Sequence, residues 1–142
     1  MKYVNDSFKV KTGKRLEIID ITNYIEKIVR KSGIKEGILI VFEPHTTAAI
    51  TINENDPDLF EDLLHIYTKI APIEQRYKHN LKYAGVSGER NAHAHILSSL
   101  IKPSVIVPIT NGRIQLGTWQ RILFIEMDGP RTRSIHVKVM GE

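Results

Sequence analysis

Residues 2–10 and 14–19 carry β-branched and aromatic side chains on either side of Lys11-Thr12-Gly13, a pattern that predicts an N-terminal hairpin. A helix follows. Ile21, Tyr24, Ile25, Ile28 and Val29 fall at helical spacing, with Asp20 or Thr22 placed to cap its start and Gly33 its end. Residues 38–42 are apolar at every position, which predicts a strand covered on both sides. Asp56-Pro57-Asp58 is a helix start, and Leu59, Phe60, Leu63, Leu64, Tyr67 and Ile70 give the stripe that helix would bury before Pro72 stops it. Residues 73–90 show no clear period, contain Gly85 and Gly88, and carry Arg76, Lys78, His79, Lys82 and Arg90, so a basic loop is expected. Asn91 then caps a helix over about 92–102, in which Ile96, Leu97, Leu100 and Ile101 mark the buried side together with His93. The rest is β. Strands are expected over 105–109, 114–116, 122–127 and 135–140, with Asn111-Gly112 as a hairpin turn and Asp128-Gly129-Pro130 as another turn.

Between the apolar strand and the Asp56 helix lies the stretch from Phe42 to Asn55. Read as one strand, it puts His45, Thr47, Ala49, Thr51 and Asn53 on one face and Ala48, Ile50 and Ile52 on the other. The second set is core, and the first is the candidate for chemistry. Strand parity makes Asn53 the nearer neighbour of His45 and turns Glu54 away from it.

Composition narrows the picture. At 142 residues, 42% of them hydrophobic and 25% charged, the chain suits a single domain over residues 1–142. No cysteine is present, which removes disulfides, cysteine-ligated zinc and cysteine nucleophiles. The absence of a signal-like segment or a long apolar run predicts a cytoplasmic protein without membrane contact. The net charge of +4 leaves room for a phosphorylated small molecule. Nucleic acid is disfavoured, because the cations are scattered and no aromatic platform accompanies them.

The candidate chemistry centres on histidine. His65 and His136 fall at solvent-facing positions, His93 lies on the buried side of its helix, and Trp119 is expected in the core. That leaves His45, His79 and His95. Three imidazoles with an open position are a catalytic zinc arrangement, although dispersed histidines more commonly cap or hydrogen-bond, and the spacing alone leaves both open. Asn53, Glu54, Asn55, Asn91 and Glu126 are candidates to orient the imidazoles or carry protons. Glu126 shares a face with Ile122 and Phe124, so it is either at a sheet rim or buried with a partner. For an anion, the chain offers Arg90, Arg113, Arg131, Arg133 and the free N–H groups after Asn91.

His45-Thr46-Thr47-Ala48-Ala49 running into Thr51-Ile52-Asn53-Glu54-Asn55, then Tyr77 and His79, Ala94-His95-Ile96, and Gly112-Arg113 with Leu116-Gly117-Thr118-Trp119-Gln120 resemble the YjbQ-like proteins, also called the secondary thiamine-phosphate synthase family. The resemblance implies an α+β fold, a two-sheet β-sandwich with about three helices that assembles as a homotrimer. It implies a metal site at His45, His79 and His95, zinc being the favoured divalent ion and magnesium an option alongside substrate. Glu126, Glu54 and Asn53 are then the catalytic candidates, and Asn91, Arg113, Arg133 and Thr118 the substrate-binding ones. The implied reaction couples hydroxymethylpyrimidine diphosphate to thiazole phosphate and releases pyrophosphate. A metal-assisted hydrolase and a non-enzymatic ligand-binding trimer are the alternatives. Arg121 stands where many relatives have glycine, and the 85–90 loop is longer and more basic than in some.

Overall fold

The computed structural model describes residues 1–83 and 90–142. In chain order its elements are β1 (Lys2–Lys11), β2 (Glu17–Asp20), α1 (Thr22–Ser32), β3 (Gly37–Phe42), β4 (Ala48–Asn53), α2 (Pro57–Ile70), α3 (Lys78–Lys82), α4 (Ala92–Ile101), β5 (Ser104–Thr110), β6 (Arg113–Ile114), β7 (Arg121–Glu126) and β8 (Thr132–Gly141). The fold is α+β with two antiparallel sheets, one of five strands in the order β1-β8-β3-β5-β6 and one of three in the order β2-β7-β4. Gly85 and Gly88 of the expected basic loop lie outside the described residues, and α3 just before them is a fourth, short helix.

The expected N-terminal hairpin does not form. β1 pairs with β8 and β2 with β7, so the segment between them crosses from one sheet to the other. Thr12 sits at that crossing, 2% exposed, where its backbone N–H donates to the Arg131 carbonyl at 2.8 Å. Local turn chemistry marked the bend, but the pairing was decided by strands more than a hundred residues away.

Alternation explains the layers. Leu39, Val41, Val107, Ile109, Ile135, Val137 and Val139 project from the five-stranded sheet onto Ile50, Ile122 and Phe124 of the three-stranded one, and Ile21, Ile25 and Val29 of α1 close the same core. On its other face the three-stranded sheet presents Ile18, Ala49, Leu123 and Ile125 to Ala94 and Leu97 of α4 and to Phe60, Leu63, Leu64 and Tyr67 of α2. α2 begins as expected, with Asp56 Oδ1 accepting from the Asp58 and Leu59 N–H groups at 2.8 and 3.0 Å, and α1 ends on Gly33 at φ 72°. The Asn111-Gly112 turn has φ of 53° and 75°, the pairing a two-residue hairpin between β5 and β6 requires. The apolar stripes are less completely covered than expected: Ile70 of α2 and Ile96 and Leu100 of α4 are exposed. β3 is likewise covered on one side only. Ile38, Phe42 and, across the ladder, Ile106 stand on the open face of the five-stranded sheet.

Candidate functional site

β7 ends and β8 begins at one edge of the sandwich, and the inward-facing position of each nearest that edge is polar. Glu126 continues the face of Ile122 and Phe124, and Arg133 that of Ile135 and Val137; both are buried, at 0% and 3% exposed. They form an ion pair inside the fold, the Arg133 Nε–H donating to Glu126 Oε1 at 2.9 Å and Nη2 to Oε2. The remaining acceptor positions of the Glu126 carboxylate are filled. Thr12 Oγ1 donates to Glu126 Oε1 at 2.7 Å, the Met127 and Asp128 N–H groups donate to Oε2 at 3.1 Å, and Arg133 also reaches Thr47 Oγ1 at 2.9 Å. Such complete satisfaction is what makes a buried charge pair tolerable. Gly129 is part of the same knot, because a Cβ there would strike the Lys14 carbonyl, the Glu126 side chain and Thr12 Oγ1. Glu126 therefore takes the second of its two expected placements, buried with a partner, and holds Arg133 instead of facing a substrate.

Above this floor opens a cleft of about 750 Å³ lined by His45, Thr47, Asn91, His95, Arg131 and Arg133, among others. His45 does not belong to β4, which begins at Ala48, so the parity that tied it to Asn53 fails. It is held instead from two sides. Its backbone N–H donates to Glu43 Oε2 at 2.8 Å, and its Nε2 accepts the Ser134 N–H at 2.9 Å. That donation occupies the Nε2 lone pair, so in the neutral ring the proton is on Nδ1. Burial, followed by the Arg133 guanidinium, holds the His45 imidazole below its ordinary value. Glu43, 1% exposed at the end of β3, has its carboxyl pushed by burial up to about 8, and its Oε1 has no hydrogen-bond partner among the described residues.

His95, on the first turn of α4, reaches the cleft and also meets His79 of α3, with ring centroids 4.8 Å apart. Asn80 Oδ1 joins the two helices, accepting the Ala92 N–H at 3.1 Å and lying 3.1 Å from His79 Nδ1. As Asn80 offers an acceptor there, His79 carries its proton on Nδ1 and keeps a lone pair on Nε2. Asn91 does not cap α4 with its side chain; its Nδ2 donates to Asp128 Oδ2 at 2.9 Å, and Arg131 pairs with the same carboxylate at 3.0 Å. His93 is fully buried, with Nε2 against the Met127 carbonyl at 3.0 Å, and burial lowers its pKa.

The expected metal site was a triad. Among the described residues no three His, Asp or Glu side chains are placed to hold one ion together, and His45 turns the nitrogen it would need toward Ser134. Of the three, only His79 and His95 are brought ring to ring, and His45 stays apart from them on its own hydrogen bonds.

The other expected site residues lie elsewhere. Asn53 and Glu54 are at the far end of β4, where Asn53 pairs with Arg121 while Ala48 pairs with Glu126. They line a separate pocket with Trp119, which is 72% exposed and not in the core, and Thr118 is on the adjacent exposed turn. Arg113 lines a third cavity with Arg30, Lys35 and Glu26. Conversely, Glu43, Thr12 and Asp128 belong to the histidine site without having been singled out. Glu43 alone had a signal in the sequence, a carboxylate directly after an unbroken apolar run.

Comparison with known proteins agrees along the whole chain. The family profile described as UPF0047 protein YjbQ-like matches residues 6–142. A UPF0047 protein of Archaeoglobus fulgidus is 45% identical over 131 residues, 92% of this chain and 97% of the relative. The UPF0047 protein YugU of Bacillus subtilis is 43% identical over 136 residues, 95% of this chain and 98% of its own. Among solved structures, a YbjQ-like protein of unknown function from Sulfolobus solfataricus superposes with a TM-score of 0.93 at 39% identity, covering 99% of both chains. A hypothetical protein from Aeropyrum pernix gives 0.92 at 42% identity, covering 98% of this chain and 99% of its own. With sequence and fold in agreement from end to end, the chain belongs to the YjbQ-like UPF0047 family.

Proposed function

We propose that the protein is an enzyme acting on a phosphorylated small molecule in the His45–His95 cleft, and that its reaction couples hydroxymethylpyrimidine diphosphate to thiazole phosphate. What supports this most is the placement of charge. The Arg131 guanidinium and the His45 and His95 imidazoles line one cleft together with the buried Arg133 charge, and Asp128, which also lines it, holds Arg131 in place. In the coupling, the thiazole nitrogen lone pair forms a C–N bond to the pyrimidine methylene as its C–O bond breaks and pyrophosphate departs. No net proton moves, so a locked Glu126 is compatible with the reaction. The demand on the site is to receive the charge growing on the departing oxygen, which preorganised donors do best. The divalent cation enters this reading with the diphosphate, and no step is assigned to a three-histidine centre.

The test is pyrophosphate release from the two precursors in the presence of magnesium. Release is expected, and Arg131→Ala should lower kcat on the order of a hundredfold; absence of release with both precursors at saturation overturns the reading. The contact between His79 and His95 favours a second reading, metal-assisted hydrolysis. Its signature is metal-activated ester cleavage without the precursors, lost in His79→Ala and His95→Ala together with bound metal, while His45→Ala keeps its metal. Assembly as a homotrimer is part of the first proposal, supported by the apolar side chains left open on the five-stranded sheet.

A further inference from the structure

The strand β4 has two ends, and the chemistry at the second is not used by the histidine cleft. There Ile52, Asn53, Glu54, Trp119 and Gln120 line a pocket of about 320 Å³, the size of a single-ring ligand. Trp119 is presented deliberately by its turn. The Gln120 N–H donates to the Gly117 carbonyl at 3.1 Å and the Gly117 N–H to Gln120 Oε1 at 2.8 Å, so the turn is closed on itself while the indole projects outward, 72% exposed. Keeping the largest aromatic side chain in water gives up the stabilisation its burial would contribute.

Beside the indole stands Glu54, half-buried and without a cationic partner among the described residues. Arg121, across the ladder from Asn53, does not serve, because its Nε–H is committed to Asp20 at 2.7 Å and its Nη2 to Asn23 at 3.0 Å. Asn53 Oδ1 is likewise engaged locally, accepting the Glu54 N–H at 2.8 Å, which fixes the rim. The pocket thus combines an exposed π face, an apolar wall from Ile52 and an uncompensated carboxylate. An indole face attracts cations, and a carboxylate selects them over neutral rings.

We propose that this pocket binds a planar, positively charged heteroaromatic small molecule, stacked on Trp119 with its charge or ring N–H toward Glu54. The site is separate from the histidine cleft and stands whatever reaction that cleft performs.

The chain has a single tryptophan, so its indole N–H gives one NMR cross-peak that reports directly on the pocket. The intact protein is titrated with 4-aminopyridinium, and in parallel with aniline, its neutral near-isostere. A saturable shift of the Trp119 indole and the Glu54 and Gln120 amides is expected with the cation, binding about tenfold more tightly than aniline. Glu54→Gln should remove that preference while leaving the His45 and His95 signals unmoved, which also shows the variant to be folded. Trp119→Leu should abolish the amide shifts. The proposal is overturned by a shift that never saturates, by equal affinity for aniline, or by an indole peak that moves with protein concentration alone, since a second copy of the chain would then be what covers Trp119.

Discussion

At the residue scale the site depends on Arg133 and Glu126, each of which is tolerable in the interior only because of the other. Arg133→Ala leaves a buried carboxylate without its partner and should cost about 3–5 kcal/mol in urea unfolding. Arg131, 48% exposed and paired with Asp128, should cost about 1 kcal/mol or less when replaced by alanine. Equal losses from the two substitutions would mean the buried pair lacks its special role. Glu43 makes a pH prediction. Its folded value is raised to about 8 from an ordinary 4.5, so its contribution to stability is full below pH 4.5 and is lost as pH rises to about 8. His45 and His93 act oppositely. Their folded values are lowered, so their contribution is full above the ordinary 6.5 and is lost as pH falls below it. Above pH 6.5, where the two histidines no longer contribute a slope, Glu43→Gln should flatten the fall of the melting temperature toward about pH 8, and an unchanged slope there would clear Glu43 as its source.

At the scale of elements, the segments that position the site are fixed by their ends. β7 and β8 bring Glu126 and Arg133 together because β7 keeps its alternation to its end and β8 has it from its start, so a polar side chain of each falls where the core stops. α2 owes its start to the Asp56 side chain, and Asp56→Ala should lower stability by about 1 kcal/mol without disturbing the cleft. Thermal melts and the His45 and His95 NMR signals check both halves of that statement. α4 is a weaker amphipath than α1 or α2, with Ile96 and Leu100 in solvent and His93 in the interior, and it meets the three-stranded sheet through Ala94 and Leu97. Its first turn brings Asn91 and His95 to the cleft.

On the scale of the whole molecule, the open face of the five-stranded sheet carries Ile38, Phe42 and Ile106, the last 64% exposed. If the proposed trimer buries this face, Ile106→Glu should reduce the mass measured by light scattering from three chains to one; a monomer in the unaltered protein at micromolar concentration removes the assembly from the proposal. Within one chain, the sequence by itself determined what depends on neighbours a few residues away. α1 with its Gly33 end, α2 with its Asp56 cap, the Asn111-Gly112 hairpin, the strands expected over 105–109, 122–127 and 135–140 and the burial of His93 all follow from spacing and backbone preference, whereas the strand expected over 114–116 is reduced to Arg113–Ile114. The family motifs likewise stood in the sequence. Tertiary structure decided which strands pair, and so turned the expected N-terminal hairpin into a crossing between sheets through Thr12. It also decided the site. His45 leaves the parity of β4, gives its Nε2 to Ser134, and parts from Asn53 and Glu54, while Trp119 faces solvent at the opposite end. Hydrogen-bond partners a hundred residues apart and the emergence of a side chain from a turn depend on long-range packing, and periodicity along the chain carries no record of it.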